Sequence, residues 1–206
     1  MPDDAAPAGA DPAGDGFDDD TGSGPTTSTA RLGDEWVLGP DGLRWRRAAR
    51  VILLDPDDRV LLVRGHDVDE PTRSWWFTVG GGIDPGESAR AAAVREVREE
   101  TGIVLAQDDL SGPVVRRSAV FDFFAEHCRQ DEEIFLARTG PTDVGAASRD
   151  GWTEIERDVL DELRWWDLDA LAEVEIEVFP VELVEIVRGL LRGWDGVVRE
   201  LGVGRG

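Results

Sequence analysis

Glu96, Glu99 and Glu100 stand close together in "GGIDPGESARAAAVREVREETGI", Gly81 to Ile103, with Arg95 and Arg98 between them. On a helix these acids fall within roughly one third of the circumference. Neighbouring carboxylates one turn apart repel by a few tenths of a kcal/mol per pair. A helix that needed only solubility would spread its charge, so this crowding calls for a cation. Hard divalent ions such as Mg²⁺ take oxygen ligands and keep waters and substrate phosphates in the rest of their shell. Gly80, Gly81 and Gly82 lie just ahead of the helix, where they permit unusual backbone angles and close approach of a ligand. Gly86 then turns the chain into Glu87 at the expected helix start. Ala89, Ala92 and Ala93 lie on or beside the acidic face and are expected to leave room above it, while Val94 and Val97 point into the core. Together these residues read as a metal platform for a pyrophosphate.

The spacing is also a signature. Gly81, five residues, Glu87, seven residues, then Arg95-Glu96-Val97-Arg98-Glu99-Glu100-Thr101-Gly102-Ile103 resembles the Nudix box, GX5EX7REUXEEXGU, at every fixed position, U being bulky and apolar. The order of elements from about Arg31 to Leu201 is similar to that family. One departure is visible: Val79 precedes Gly80, where many members have Pro-Gly-Gly, and this is expected to change loop stiffness rather than abolish metal binding. The resemblance implies a fold, an α/β (α+β) Nudix-type α/β/α sandwich with a mixed sheet between helices. It also implies an activity, Mg²⁺-dependent hydrolysis of a nucleoside diphosphate linked to another group, with Mn²⁺ as an alternative ion. By position in the box, Glu96, Glu99 and Glu100 are the implied metal ligands. Arg95 is implied to hold a neighbouring carboxylate in place, Glu87 to support the loop or the metal shell, and Gly81 and Gly82 to offer backbone groups to metal or phosphate. The resemblance leaves the general base open between a box glutamate and an acid of another loop, for which Glu133 and Glu154 are the candidates. A second reading is a Nudix-fold sensor that binds a nucleotide without cleaving it; the intact Arg95, Glu96, Glu99 and Glu100 favour the enzyme. An isomerase-type relative acting on isoprenoid diphosphates lacks support, since Cys128 has no suitable context. ADP-ribose, dinucleoside polyphosphates, oxidised nucleoside triphosphates and nucleotide sugars all remain open as substrates, because specificity resides in loops.

The elements that must position the box follow from pattern. "ARVILLDPDDRVLLVRG" places two apolar β-branched runs around a turn and predicts a hairpin. "SWWFTVGGG" predicts a short strand running into a glycine loop. "GESARAAAVREVREETG" predicts a helix stopped at Gly102. "PVVRRSAVFDFFAEH" and "DEEIFLART" predict strands, "TEIERDVLDEL" a helix capped at Thr153, "RWWDLDAL" a short strand and turn, and "PVELVEIVRGLLRGW" a helix with Pro180 in its first turn. Trp75 and Trp76 adjoin on a strand, so one faces a pocket and one the packed sheet. Trp152, Trp165 and Trp166 suit an aromatic-lined pocket. Arg64, Arg116 and Arg117 read as surface charge or phosphate contacts, His66 and His127 as loop or surface residues, and Asp55, Asp57 and Asp58 as turn residues.

Composition sets the outer bounds. The chain has 206 residues and a formal net charge of −22. Such acidity excludes sequence-independent binding to DNA or RNA, which needs a basic surface. It permits a small phosphorylated ligand bridged by a divalent cation. Every basic residue other than His is Arg, so no lysine Schiff base or phosphate-loop lysine is available. Residues 1–30 hold too little apolar surface to offset chain entropy and are expected to be a disordered acidic tail, with the domain in 31–206. No window has the apolar length of a membrane span, so no membrane partner is expected. The N-terminus has no basic n-region, and the single cysteine, Cys128, cannot form an internal disulfide; both fit the cytoplasm. The oligomeric state stays open, with a homodimer as one reading.

Overall fold

The structure, a computed structural model, describes residues 32–33, 35–67, 70, 72–123, 126–142, 144 and 160–205. The expected tail, and the first part of the helix expected from Thr153, lie outside them. In chain order the elements are β1 (Val37–Leu38), β2 (Arg44–Leu54), β3 (Val60–His66), β4 (Ser74–Gly82), α1 (Ala89–Thr101), β5 (Ser111–Phe123), β6 (Glu126–Arg138) and β7 (Leu160–Trp166). They are followed by α2 (Leu168–Ala172), β8 (Glu177–Phe179), α3 (Leu183–Leu190) and β9 (Arg199–Arg205).

β2 organises the layers. It pairs in parallel with β6 along its whole length, from Arg44↔Cys128 to Leu54↔Arg138. Its side chains alternate between faces, as a strand buried on both sides requires. Ala49, Val51 and Leu53 join a core cluster with Ala92, Ala93 and Val97 of α1. Ile52 and Leu54 join a second cluster with Leu171 of α2 and Leu183, Ile186 and Leu190 of α3. The mixed sheet, ordered β7-β3-β4-β2-β6-β5-β9 among the described residues, therefore lies between helices on both faces. That is the expected α/β/α sandwich.

The hairpin expected from the run around "DPDD" opens instead of closing. β2 and β3 pair only at Leu54↔Val60. β4 runs antiparallel to β3 from Ser74 to Thr78, then antiparallel to β2 from Val79 to Gly82. One strand can run against both only if β2 and β3 diverge from their turn. The turn is held by Asp55, whose Oδ1 accepts from the N–H groups of Asp57 and Arg59 at 2.9 Å each. Asp58 takes the left-handed φ of 61°. These acids are turn residues, as the sequence indicated.

Several boundaries differ from expectation. Gly80, Gly81 and Gly82 belong to β4 and pair with Arg50, Ala49 and Ala48, so they are the end of a strand rather than a loop. Leu160–Leu163 is strand, not helix, because it pairs with β3. α3 starts at Leu183, and Pro180 precedes it after a cis peptide bond. β6 begins at Glu126, so His127 and Cys128 belong to it. The short β8 and the glycine-containing β9 carry too weak an alternation to be read from sequence.

Candidate active site

α1 is fixed at both ends. Ser88 Oγ accepts from the N–H of Ala91 at 3.2 Å. Gly102 adopts φ 73° and donates its N–H to the Arg98 carbonyl at 2.9 Å. Between these caps the helix lays Ala92, Ala93 and Val97 on the sheet, all fully buried. The alanines thus form the packing face rather than a cleared shelf. Their small size lets the helix approach the sheet, which carries the box acids to the end of β4.

There the three acids receive different environments. Glu96 and Glu100 are 6% and 3% exposed, whereas 45% of the Glu99 side chain faces solvent. Glu100 Oε2 accepts the N–H of Gly80 at 2.8 Å. The Glu96 carboxylate lies against Gly81, where a Cβ would meet its Cδ and Oε2 at 2.7 Å. Glycine at this position is what allows the close approach.

Arg95 ties the box together. Its Nε and Nη2 donate to the two oxygens of Glu87 at 3.1 and 2.9 Å. Nη2 also donates to the Gly82 carbonyl at 2.9 Å. Nη1 donates to Glu96 Oε1 at 2.6 Å and to Glu99 Oε2 at 3.0 Å. Glu87 in turn accepts the Asp84 N–H at 3.2 Å, closing the loop between strand and helix. The hydrogen bonds from Arg95 hold the Glu87 carboxyl below its ordinary pKa. The same pairing raises Arg95. Arg95 thus contacts Glu87, Glu96 and Glu99 together, and Glu87 bridges Arg95 and the Asp84 N–H.

The acids open onto a cavity of about 400 Å³. Trp75, Phe77, Phe121 and Phe179 contribute aromatic surface to it. Trp76 faces the other way, 3% exposed, with its ring 5.2 Å from that of Trp166 in an edge-on contact. The adjacent tryptophans thus divide between pocket and packed sheet. Trp165 donates Nε1 to the Thr142 carbonyl at 3.0 Å, and Trp152 lies outside the described residues.

Other candidates sit elsewhere. Glu133 pairs with Arg47 at 3.3 Å and with Arg116 at 3.9 Å, and lines a separate depression rather than the cavity. Glu154 lies outside the described residues. Arg64 pairs with Asp161 and Glu162, and Arg116 also reaches Glu200; only Arg117 of the three lines the cavity. His66 contacts Asp161 at 3.0 Å, and His127 contacts Asp122. Burial pushes the Cys128 thiol up to about 11, which leaves no thiolate at neutral pH.

The donor set at the cavity is all oxygen, which suits a hard divalent ion. Among the described residues no three His, Cys, Asp or Glu side chains are already drawn together as a metal cluster. Glu96 and Glu99 converge on the Arg95 guanidinium instead.

A family model described as the NUDIX domain matches residues 44–185. The chain belongs to the NUDIX family. It is similar to an uncharacterized Nudix hydrolase, YvcI, of Bacillus subtilis (strain 168), 43% identical over 60 residues, covering 29% of this chain and 35% of that protein. A putative 8-oxo-dGTP diphosphatase of the same strain is 47% identical over 58 residues, covering 28% and 36%. An RNA pyrophosphohydrolase of Sphingopyxis alaskensis is 44% identical over 67 residues, covering 32% and 40%. The chain thus spans well under half the length of these relatives. Among solved structures, a mutator MutT protein from Bacillus halodurans has a TM-score of 0.49 at 21% identity, covering 77% of this chain and 88% of that one.

The NUDIX match begins after Glu35 and Trp36, yet both line the cavity, as do Arg46, Arg50, Gln130 and Glu132. Sequence reading singled out none of the six. A signal was present: Arg46 and Arg50 continue the buried face of Ile52 and Leu54, and Gln130 and Glu132 continue that of Ile134 and Leu136. Charged residues in register with a buried face mark a cavity floor or a buried network.

Proposed function

We propose that this NUDIX protein is a divalent-cation-dependent hydrolase that cleaves the pyrophosphate linkage of a small nucleoside diphosphate derivative. The observation that carries the reading is the placement of Glu96, Glu99 and Glu100 at one cavity, two of them buried against the glycine backbone of β4.

Glu96, Glu99 and Glu100 would hold the ion, with Mg²⁺ the expected species and Mn²⁺ a substitute. When bound, it supplies positive charge for the diphosphate oxygens and makes water a better nucleophile at neutral pH. The chain's own residues do the rest. Arg95 fixes the directions of Glu96 and Glu99, and through Glu87 and the Gly82 carbonyl it locks the helix to the strand end. Trp75 and Phe77 offer ring surface to the base, which stacks on aromatic faces. Water adds to one phosphorus, the bond from that phosphorus to the bridging oxygen breaks, and a box carboxylate takes the proton. Breaking the anhydride bridge between the α- and β-phosphorus leaves a nucleoside monophosphate and the phosphorylated remainder. The similarity to a putative 8-oxo-dGTP diphosphatase and an RNA pyrophosphohydrolase supports the phosphate chemistry, while the choice of X belongs to the cavity walls.

The test is cleavage of a panel of nucleoside diphosphate derivatives, followed by chromatography with and without EDTA. The Glu99→Gln, Glu100→Gln double variant should lose at least about 100-fold in kcat, since charge stabilisation by a bound ion contributes several kcal/mol. Cleavage that survives both EDTA and the double variant would overturn the reading.

A further inference from the structure

β2 carries a buried arginine, Arg50, between the fully buried Ala48 and Ile52 of the same face. Arg50 is 9% exposed. Its Nε donates to Glu132 Oε1 at 2.7 Å. Its Nη1 donates to two backbone carbonyls, those of Thr78 and Gly80, at 2.9 Å each. Those carbonyls belong to the peptides on either side of the Val79–Gly80 peptide. The N–H of that central peptide is the one that holds Glu100 Oε2 at 2.8 Å. Gly80 has φ 135°, and a Cβ there would lie 2.3 Å from the Ala49 carbonyl oxygen, so this backbone is turned in a way only glycine permits.

We propose that Arg50 is a positioning residue for the box acid Glu100: its guanidinium clamps the Thr78 and Gly80 carbonyls and so aims the Gly80 N–H at the carboxylate. Glu132 anchors the clamp from behind. Its other oxygen takes Nε of Arg117, and Oε1 also accepts from Gln130 Nε2 at 2.5 Å. Gln130 continues the chain to Arg46 Nε at 2.5 Å, and Arg46 pairs with Glu35 at 3.1 Å. Burial works against the Glu132 charge, but Arg50 and Arg117 outweigh it and hold the carboxyl at about 2, so the anchor is ionised at neutral pH. Lysine could not replace Arg50. Its single nitrogen cannot serve a carboxylate on one side and two carbonyls on the other, as a forked guanidinium does. The inference rests on the reading of Glu100 as a metal-holding acid.

The experiment measures Mn²⁺ binding to the full chain by electron paramagnetic resonance without nucleotide, together with kcat, KM and thermal midpoint. The variants are Arg50→Lys and Glu132→Asp, which keep the buried charges balanced, and Val187→Ala. Val187 is fully buried in the second cluster, in α3, and serves as a control for destabilisation alone. Arg50→Lys should weaken Mn²⁺ binding by about 10-fold or more, the usual effect of removing an outer partner of a ligand. It should lower kcat while leaving KM at saturating metal nearly unchanged. Glu132→Asp should act in the same direction, and it carries the test if Arg50→Lys does not fold. Val187→Ala should lower the midpoint and leave Mn²⁺ affinity alone. Wild-type affinity in a folded Arg50→Lys or Glu132→Asp would overturn the positioning role and leave the proposed function standing. So would a parallel loss in Val187→Ala, which would reduce the effect to stability. Absence of Mn²⁺ binding in the wild type would remove both.

Discussion

At the residue scale, the close contact of Gly81 with Glu96 makes a sharp prediction. Gly81→Ala places a Cβ within 2.7 Å of the carboxylate, which must move. We expect kcat/KM to fall by about 10- to 100-fold, as when a ligand loses its orientation, with only a small drop in thermal midpoint. Unchanged kinetics would show that the approach is incidental. A second prediction concerns pH. The folded-state pKa of Glu132 is lowered from 4.5 to about 2. A lowered carboxyl contributes stability above its unfolded value and loses it as pH falls through the folded value. The stability gap between wild type and Glu132→Gln should therefore be full at pH 6 and shrink as pH falls from about 4.5 toward about 2, measured by urea unfolding at each pH. A gap that stays constant would mean that folding leaves the Glu132 pKa unshifted. The clustering of the box acids was legible because it follows from local helical spacing. Arg50 and Glu132 were not, because their partnership spans 82 residues and depends on the parallel pairing of β2 with β6.

At the element scale, α1 depends on its two caps. Ser88→Ala removes the acceptor for the Ala91 N–H and should cost about 1 kcal/mol. Gly102→Ala forces φ 73° on a residue with a Cβ and should also cost about 1 kcal/mol. Urea unfolding should show both losses, with kcat at room temperature nearly unaltered because most of the chain stays folded. A loss of activity without loss of stability would place the caps in the chemistry rather than in the helix. The helix itself was readable from its punctuation, but its packing face was not. Alanine is a weak hydrophobic signal, and only the proximity of the sheet turns Ala92 and Ala93 into core. The run around Leu160–Leu163 has good helix formers, yet β3 supplies a ladder that overrides that preference. The glycines of β4 looked like a loop because glycine is usually depleted from strands; here they admit Glu96 and the turned Gly80 backbone.

At the scale of the whole molecule, the net charge of −22 works against compactness. Between about 0.01 M and about 1 M salt the screening length falls from about 30 Å to about 3 Å. The thermal midpoint should therefore rise with NaCl, as followed by circular dichroism. A falling midpoint would mean that the many Arg–carboxylate pairs, which salt weakens, outweigh the general repulsion. No helix among the described residues is long and apolar enough to cross a membrane. The layer order was legible because the box helix and the apolar runs on either side of it are strongly patterned, whereas the divergence of β2 and β3 was not, since no local rule tells a turn to open. That divergence makes β4 a splice between two ladders, joined at Thr78 and Val79. A regular ladder commits its peptide groups to its neighbours. Where the splice falls, the Gly80 N–H is directed to Glu100 and the Gly80 carbonyl to Arg50, so the acidic helix is fastened to the sheet where β4 passes from one partner strand to the other.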